Sequence, residues 1–306
     1  MKFTFLGSPW NEVVAEVEAA GHEYVPDLDH ADFLIHRGEG IEELPANIKW
    51  VQYVYSGIDR ILDTIQHTSQ ATGVRWANAS GVYGAPVAEA ALALTLSVMH
   101  QHKPAIAAST FQARGELDRH TQVLADDNRT VTILGAGGIG RRLIKMLQGF
   151  NVTTLAVNRS GRDVPGATEV VTFDDVESVW ERSDVVINLL PLTEDTLGLI
   201  NKDVFAALPD HAIVVNVGRG PVLNTDDLVY ALEHGMIAGA GLDVTDPEPL
   251  PENHRLWQLH NCMITPHTAT TGSTGRKFIA PYIVENARAF EAGEEMPTEI
   301  DPWRGY

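Results

Sequence analysis

The chain has 306 residues, long enough to favour two cores over one. Its 44% hydrophobic and 21% charged residues describe a globular protein and exclude a disordered or fibrous one. A formal charge of −19 argues against nucleic acid and anionic membrane surfaces as principal partners, and any anion site on such a chain needs its own local cations.

The opening MKFTFLGSPW shows no secretory signal, so a cytoplasmic location is expected. Residues 2–6 alternate as a strand. Residues 11–20 carry Val13, Val14 and Val17 at helical spacing and stop at Gly21, which suits a helix C-terminus. Residues 31–36 and 50–55 read as strands, the second running into Ser56-Gly57-Ile58-Asp59. This spacing predicts a small parallel α/β unit. Residues 86–102 predict one long helix with Pro86 in its first turn. It is apolar on most sides, so it should be buried between other elements, such as two domains. Its most apolar part, residues 90–99, is too short to span a bilayer. Residues 103–128 are polar and irregular and read as a crossover.

From Thr130 onward strands and helices alternate. Strands are expected at 130–134, 152–157, 184–190, 212–217, 238–244 and 263–265, with helices at 225–234 and 275–292 and a tail at 296–306. The pattern is that of a doubly wound parallel sheet. The single cysteine, Cys262, permits no intramolecular disulfide and no Cys-x-x-Cys pair; in NCMITP it reads as a small buried hydrophobe.

The most informative stretch is TVTILGAGGIGRRLIKML, residues 130–147. A short apolar strand enters Gly135-Ala136-Gly137-Gly138-Ile139-Gly140, and Leu143, Ile144 and Leu147 then repeat at helical spacing. In that strand–turn–helix context the glycine pattern predicts a dinucleotide site. Gly135 allows the tight turn, Gly137 lets a pyrophosphate approach the backbone, and Gly140 lets helix and strand pack. Gly138 and Ile139 open the helix, whose unpaired N–H groups and positive dipole end face the phosphates.

Three charged residues follow strand ends in this half: Arg219 after IVVNVG, Glu248 after LDVTDP and His267 after MITP. Carboxyl ends of strands line the ligand crevice of an open parallel sheet. An arginine to hold a carboxylate, a histidine to give a proton and a carboxylate to orient the histidine suit carbonyl reduction. Singly, each has a plainer reading: one of 12 histidines in a turn, a solvated loop acid, a helix cap.

Taken with SGVYGAPVAEAALALTL and LPLTEDTLGLI, the segments NVGRG, GAGLDV-x-x-x-EPLP and ITPH resemble, in order, the signatures of the D-isomer-specific 2-hydroxyacid dehydrogenases. The resemblance runs from about residue 50 to 277 and is only generic before that. It implies that Arg219 binds the substrate carboxylate and polarises the carbonyl. His267 would be the general acid in reduction and the base in oxidation, with Glu248 as its partner. The loop at Ser56-Gly57 would hold the substrate carboxylate from the smaller domain. Cofactor contacts would fall at the glycine loop, at Leu190-Pro191 and Val217-Gly218, and at Asp243, which either meets the nicotinamide amide or ends its strand. The implied architecture is a Rossmann cofactor domain, residues 101–274, inserted into a smaller flavodoxin-like α/β substrate domain, residues 1–100 and 275–306. A homodimer formed largely through the cofactor domains is implied as well, and no metal.

The second strand of the cofactor domain bears on the choice of dinucleotide. An NAD enzyme places Asp or Glu about 20 residues past the glycines, on the ribose 2′-OH. Here that place holds Asn158, Arg159 and Ser160, with Arg162 beyond. Asparagine does not repel a 2′-phosphate and arginine grips one bidentately, so NADP(H) is favoured, with NAD still possible. The expected activity is reduction of small 2-ketoacids such as glyoxylate or hydroxypyruvate. Alternatives are 3-phosphoglycerate dehydrogenase, and a dinucleotide-sensing regulatory protein, against which the intact Arg219, Glu248 and His267 argue.

Overall fold

The computed structural model describes residues 1–38, 41, 43–126 and 129–303. Residues 127–128 of the expected crossover and the last three of the expected tail lie outside the described residues. The chain divides into two compact units, Met1–Tyr83 with Thr270–Tyr306, and Gly84–Ala269. The helix expected at 86–102 therefore groups with the second unit, and residues 270–274 with the first.

The first unit is a parallel sheet in the order β2-β1-β3-β4-β5, built from β1 (Lys2–Phe5), β2 (Glu23–Tyr24), β3 (Phe33–His36), β4 (Trp50–Tyr53) and β5 (Arg75–Ala77). That is the flavodoxin-like order. Helix α1 (Asn11–Ala19) follows β1, and α2 (Leu62–Thr72) precedes β5. The C-terminal helix, Gly272–Ala292, packs on α1. A buried polar chain ties it to the sheet: Asn286 Nδ2 donates to Gln52 Oε1 at 2.8 Å, and Gln52 Nε2 donates to the Asn78 carbonyl at 2.7 Å. Buried amides need such partners, so this network fixes how the returning segment seats on the sheet.

The second unit opens with α3 (Gly84–Met99), which packs on the sheet strands of its own unit and on the helix after the glycine loop. It ends three residues earlier than expected. Gln101 takes a left-handed φ of 54°, and α4 (His102–Ala108) restarts the helix. Pro104 explains the break: inside a continuous helix its ring would clash with the carbonyl of residue 100, whereas the first turn of a new helix accommodates it. The expected irregular crossover thus contains α4 and α5 (Arg114–His120). Lys103 anchors it, donating to the carbonyls of Trp257, Leu259 and Cys262 at 2.9, 2.6 and 2.8 Å.

Then come β6 (Thr130–Leu134), α6 (Gly138–Leu147), β7 (Thr153–Asn158), β8 (Glu169–Thr172), β9 (Val185–Asn188), α7 (Lys202–Ala207), β10 (Ile213–Asn216), α8 (Thr225–Glu233), β11 (Gly239–Leu242), α9 (Arg255–Gln258) and β12 (Cys262–Ile264). All neighbours pair in parallel, in the order β12-β11-β10-β9-β6-β7-β8. The expected doubly wound sheet is present, and its order reverses between β6 and β9, the switch point beside which ligands bind. Gly239 and Gly241 admit α3 onto β11: a Cβ on Gly239 would lie 2.5 Å from Val98 Cγ1. Cys262 is buried in this core as its sequence context suggested, and burial pushes its thiol up to about 12.

Candidate active site

At the switch point the chain leaves β6 through Gly135, whose φ of +89° a side chain would rarely adopt. The amides of Gly135 and Ala136 both donate to the Val157 carbonyl at 3.0 Å, which holds the loop against β7. A Cβ on Gly140 would sit 3.0 Å from the Gly135 carbonyl and 3.3 Å from Ile133 Cγ2, so helix and strand approach as closely as glycine permits. Gly137 and Gly138 face open space instead: a Cβ on either would meet nothing within 4 Å. Gly137 caps α6 without a side-chain bond, so the first-turn N–H groups of Gly138, Ile139 and Gly140 are those a helix leaves for a ligand. A bare backbone surface at a helix N-terminus fits a dinucleotide pyrophosphate.

At the end of β7, Asn158 closes a short loop. Its Nδ2 donates to the Arg162 carbonyl at 2.9 Å, and its Oδ1 accepts from Ser160 Oγ at 3.3 Å. Arg159 projects from this loop, and its guanidinium lies 3.3 Å from Asp195 Oδ2, with both side chains about two-thirds exposed. Sequence reading missed Asp195, which stands 36 residues away.

The ends of β9 and β10 are joined by a buried pair: Asn188 Nδ2 donates to Asn216 Oδ1 at 2.9 Å. Asn188 Oδ1 accepts from the Leu190 amide, Asn216 Oδ1 from the Gly218 amide, and Asn216 Nδ2 donates to the Arg219 carbonyl at 3.0 Å. Two asparagines thus fix the turns carrying Leu190-Pro191 and Val217-Gly218-Arg219. Gly218 is obligatory there, since a Cβ would lie 2.8 Å from the Leu190 carbonyl. The signal was present in the sequence: VVIN and IVVN are apolar strands that each end in asparagine. The half-buried Arg219 side chain also donates from Nη1 to the Gly218 carbonyl at 2.8 Å.

The loops after β11 and β12 bring Glu248 and His267 together, with Nδ1 2.9 Å from Glu248 Oε1. The carboxylate accepts the Nδ1 proton, which leaves Nε2 as the ring nitrogen outside this pair. His267 takes a left-handed φ of 52°, a conformation that costs a non-glycine residue about 1–2 kcal/mol. Its amide donates to the carbonyls of Asp243 at 2.8 Å and Thr265 at 2.9 Å. The latter bond closes a three-residue turn centred on Pro266. Asp243 is buried at the end of β11 with its carboxylate turned into this loop. Among the described residues no group of three or more His, Cys, Asp or Glu is placed to hold a metal ion.

Ser56 and Gly57 lie in the first unit, after β4. Ser56 Oγ donates to the Ala79 carbonyl at 2.9 Å, and Asn78 Nδ2 donates to the Ser56 carbonyl at 2.9 Å, so this loop is held from β5's exit.

Comparison with known proteins gives a consistent result. Residues 92–269 match the family model for D-isomer specific 2-hydroxyacid dehydrogenase, NAD binding domain. An uncharacterized protein of Corynebacterium melassecola is 46% identical over the whole of both chains. The glyoxylate reductase/hydroxypyruvate reductase of Homo sapiens is 34% identical over 89% of this chain and 81% of its own. A D-isomer specific 2-hydroxyacid dehydrogenase from Xanthobacter autotrophicus Py2, solved in complex with NADPH and MES, superposes with a TM-score of 0.81 at 25% identity, covering 100% of this chain and 99% of the other. The chain belongs to the D-isomer specific 2-hydroxyacid dehydrogenases and is an NAD(P)-dependent oxidoreductase.

Proposed function

We propose that this enzyme reduces small polar 2-ketoacids, glyoxylate or hydroxypyruvate foremost, and draws on NADPH in preference to NADH. The observation that carries the reading is the His267–Glu248 pair, 2.9 Å apart at the carboxyl edge of the sheet that holds the glycine loop. The bound dinucleotide supplies the hydride. His267, held by Glu248 through Nδ1, gives the Nε2 proton to the carbonyl oxygen, and in oxidation takes it back. Arg219 holds the ketoacid carboxylate with a fork of donors and draws electron density from the neighbouring carbonyl. A relative named as a glyoxylate/hydroxypyruvate reductase supports the substrate class.

The cofactor preference follows from the end of β7, where Asn158, Arg159 and Ser160 stand in place of a carboxylate. The NADPH-bound relative supports it. An arginine–phosphate contact is worth about 1.5–3 kcal/mol, or roughly one to two decades of preference. We assign the enzyme to the cytoplasm, where reductive chemistry draws on the NADPH pool. We also assign it a homodimer built on the second unit, whose helical segment after α3 exposes Ile106 and Phe111.

The test is a set of initial rates over glyoxylate, hydroxypyruvate, pyruvate and 2-oxoglutarate with each dinucleotide. The highest kcat/KM is expected with glyoxylate or hydroxypyruvate, and about tenfold or more higher with NADPH. Greater efficiency with NADH overturns the cofactor assignment, and no turnover of any of the four overturns the substrate class.

A further inference from the structure

The first unit carries a cationic cluster of its own. Its sheet reverses order between β1 and β3, and an open parallel sheet takes ligands outside the carboxyl ends of its strands at such a point. Trp10 follows β1 as the N-cap of α1, Arg37 follows β3, and Arg276 comes from the start of the C-terminal helix. Trp10 is 5% exposed, and the guanidinium carbons of Arg37 and Arg276 each lie 5.1 Å from its ring centroid. The two charges are therefore separated by no more than twice that distance. Among the described residues Arg37 makes one hydrogen bond, from Nη1 to the Ser8 carbonyl at 2.9 Å, and Arg276 makes none. Neither has a carboxylate partner among those residues, on a chain with 41 acidic and 22 basic side chains.

We infer that Trp10, Arg37 and Arg276 form a binding site for an oxyanion group, a phosphate or a carboxylate, within the first unit. An arginine that only laid its stem on an aromatic ring would keep its charged head in water. Here both side chains are half-buried, and the Nε of each, like Nε1 of Trp10, is buried with no hydrogen-bond partner. Leaving such donors unmet is costly. Indole and guanidinium side chains donate and do not accept, so the cluster lacks acceptors altogether. An oxyanion supplies them, is gripped bidentately by a guanidinium, and offsets the repulsion between two like charges. The group arrives as a free anion or as the second acid group of a ketoacid, and the chemistry at the arginines is the same. The site uses neither Arg219 nor the Ser56-Gly57 loop, so it stands apart from the ketoacid reading.

The experiment titrates inorganic phosphate into the full-length enzyme by calorimetry, with NADPH saturating so that the cofactor's own phosphate sites are filled. Arg37→Gln and Arg276→Gln are each expected to raise the phosphate Kd about tenfold or more, and Arg219→Lys to leave it within about twofold. A second arm measures KM for oxaloacetate and for pyruvate, which differ by one carboxylate. If the glutamine variants raise only the oxaloacetate KM, by about tenfold, the group is carried by the ketoacid. A raised phosphate Kd with both KM values unchanged identifies a free anion. A phosphate Kd and a KM ratio both unmoved by the glutamine variants overturn the inference, as does phosphate binding that Arg219→Lys abolishes and they do not. The phosphate arm needs no turnover, so it fails or holds independently of the ketoacid reading. Arg37→Gln also removes the bond to Ser8; if that variant does not fold, Arg276→Gln decides alone, because it has no hydrogen bond to lose among the described residues.

Discussion

Arg159 meets the proposed 2′-phosphate in competition with a group of its own chain. Its pairing with Asp195 is largely solvated and worth at most about 1 kcal/mol, less than the phosphate contact, so the phosphate displaces the carboxylate. Asp195→Asn should lower the KM for NADPH about two- to fivefold and leave that for NADH unchanged. Equal effects on both would place Asp195 outside the phosphate site. His267→Asn keeps polarity but removes acid–base capacity, and stopped-flow turnover should fall about 10²–10⁴-fold with little change in NADPH affinity. Cys262, buried and with a thiol pushed up to about 12, should resist thiol reagents at neutral pH until the protein unfolds.

At the scale of elements, backbone proximity dominates. Gly218→Ala would drive a methyl group to 2.8 Å from the Leu190 carbonyl, and neither backbone can yield without moving the turn that carries Arg219. Overpacking of this kind costs about 1–3 kcal/mol, and KM for the ketoacid should rise alongside the loss of melting temperature. At the opposite edge of the sheet Asp184 clasps the starts of three strands. It accepts from the Thr130 amide at 2.7 Å, from Arg129 at 3.0 Å and from His211 Nε2 at 2.7 Å. Burial alone would raise this carboxyl, but the bonds from Thr130, His211 and Arg129 outweigh it and hold it below the usual carboxylate range. A depressed folded value means that the stabilisation is complete above the unfolded pKa and is lost as pH falls through the folded one. Asp184→Asn should therefore cost about 1.5–3 kcal/mol at neutral pH, and the gap in thermal melts should close below about pH 4.

For the whole molecule, the proposed dimer and the net charge make the firmest expectations. Ile106 and Phe111 are 75% and 84% exposed on the segment after α3, which is costly for a surface that nothing covers. The double change Ile106→Glu, Phe111→Glu should halve the mass seen by sedimentation, and an unchanged mass would move the interface elsewhere. A chain of charge −19 repels both NADPH and ketoacid at long range, so screening and local pairing oppose each other. Added salt should weaken the NADPH preference more than NADH binding, because only the former depends on the exposed Arg159.

The sequence by itself determined the strand at Thr130–Leu134, the glycine loop and the parallel α/β class, and through its resemblance to a family it named the residues proposed to carry the chemistry. These are local features, written in strand periodicity, glycine spacing and the residue that follows each strand. Three of the four short edge strands were not legible: β2, β5 and β8 have two to four residues, and they exist only because β1, β4 and β7 offer them hydrogen-bonding partners. Nor was the helix break at Gln101, although Pro104 announces it. Tertiary structure alone decided that His267 reaches Glu248, that Asp195 occupies Arg159, that paired asparagines fix the Arg219 turn, and that Asp243 spends its carboxylate on the His267 loop. Each of these contacts joins residues distant in the chain, three through strand ends laid side by side and Arg159–Asp195 from β7 to the loop after β9 across β6, and a sequence names such residues without stating which strands become neighbours.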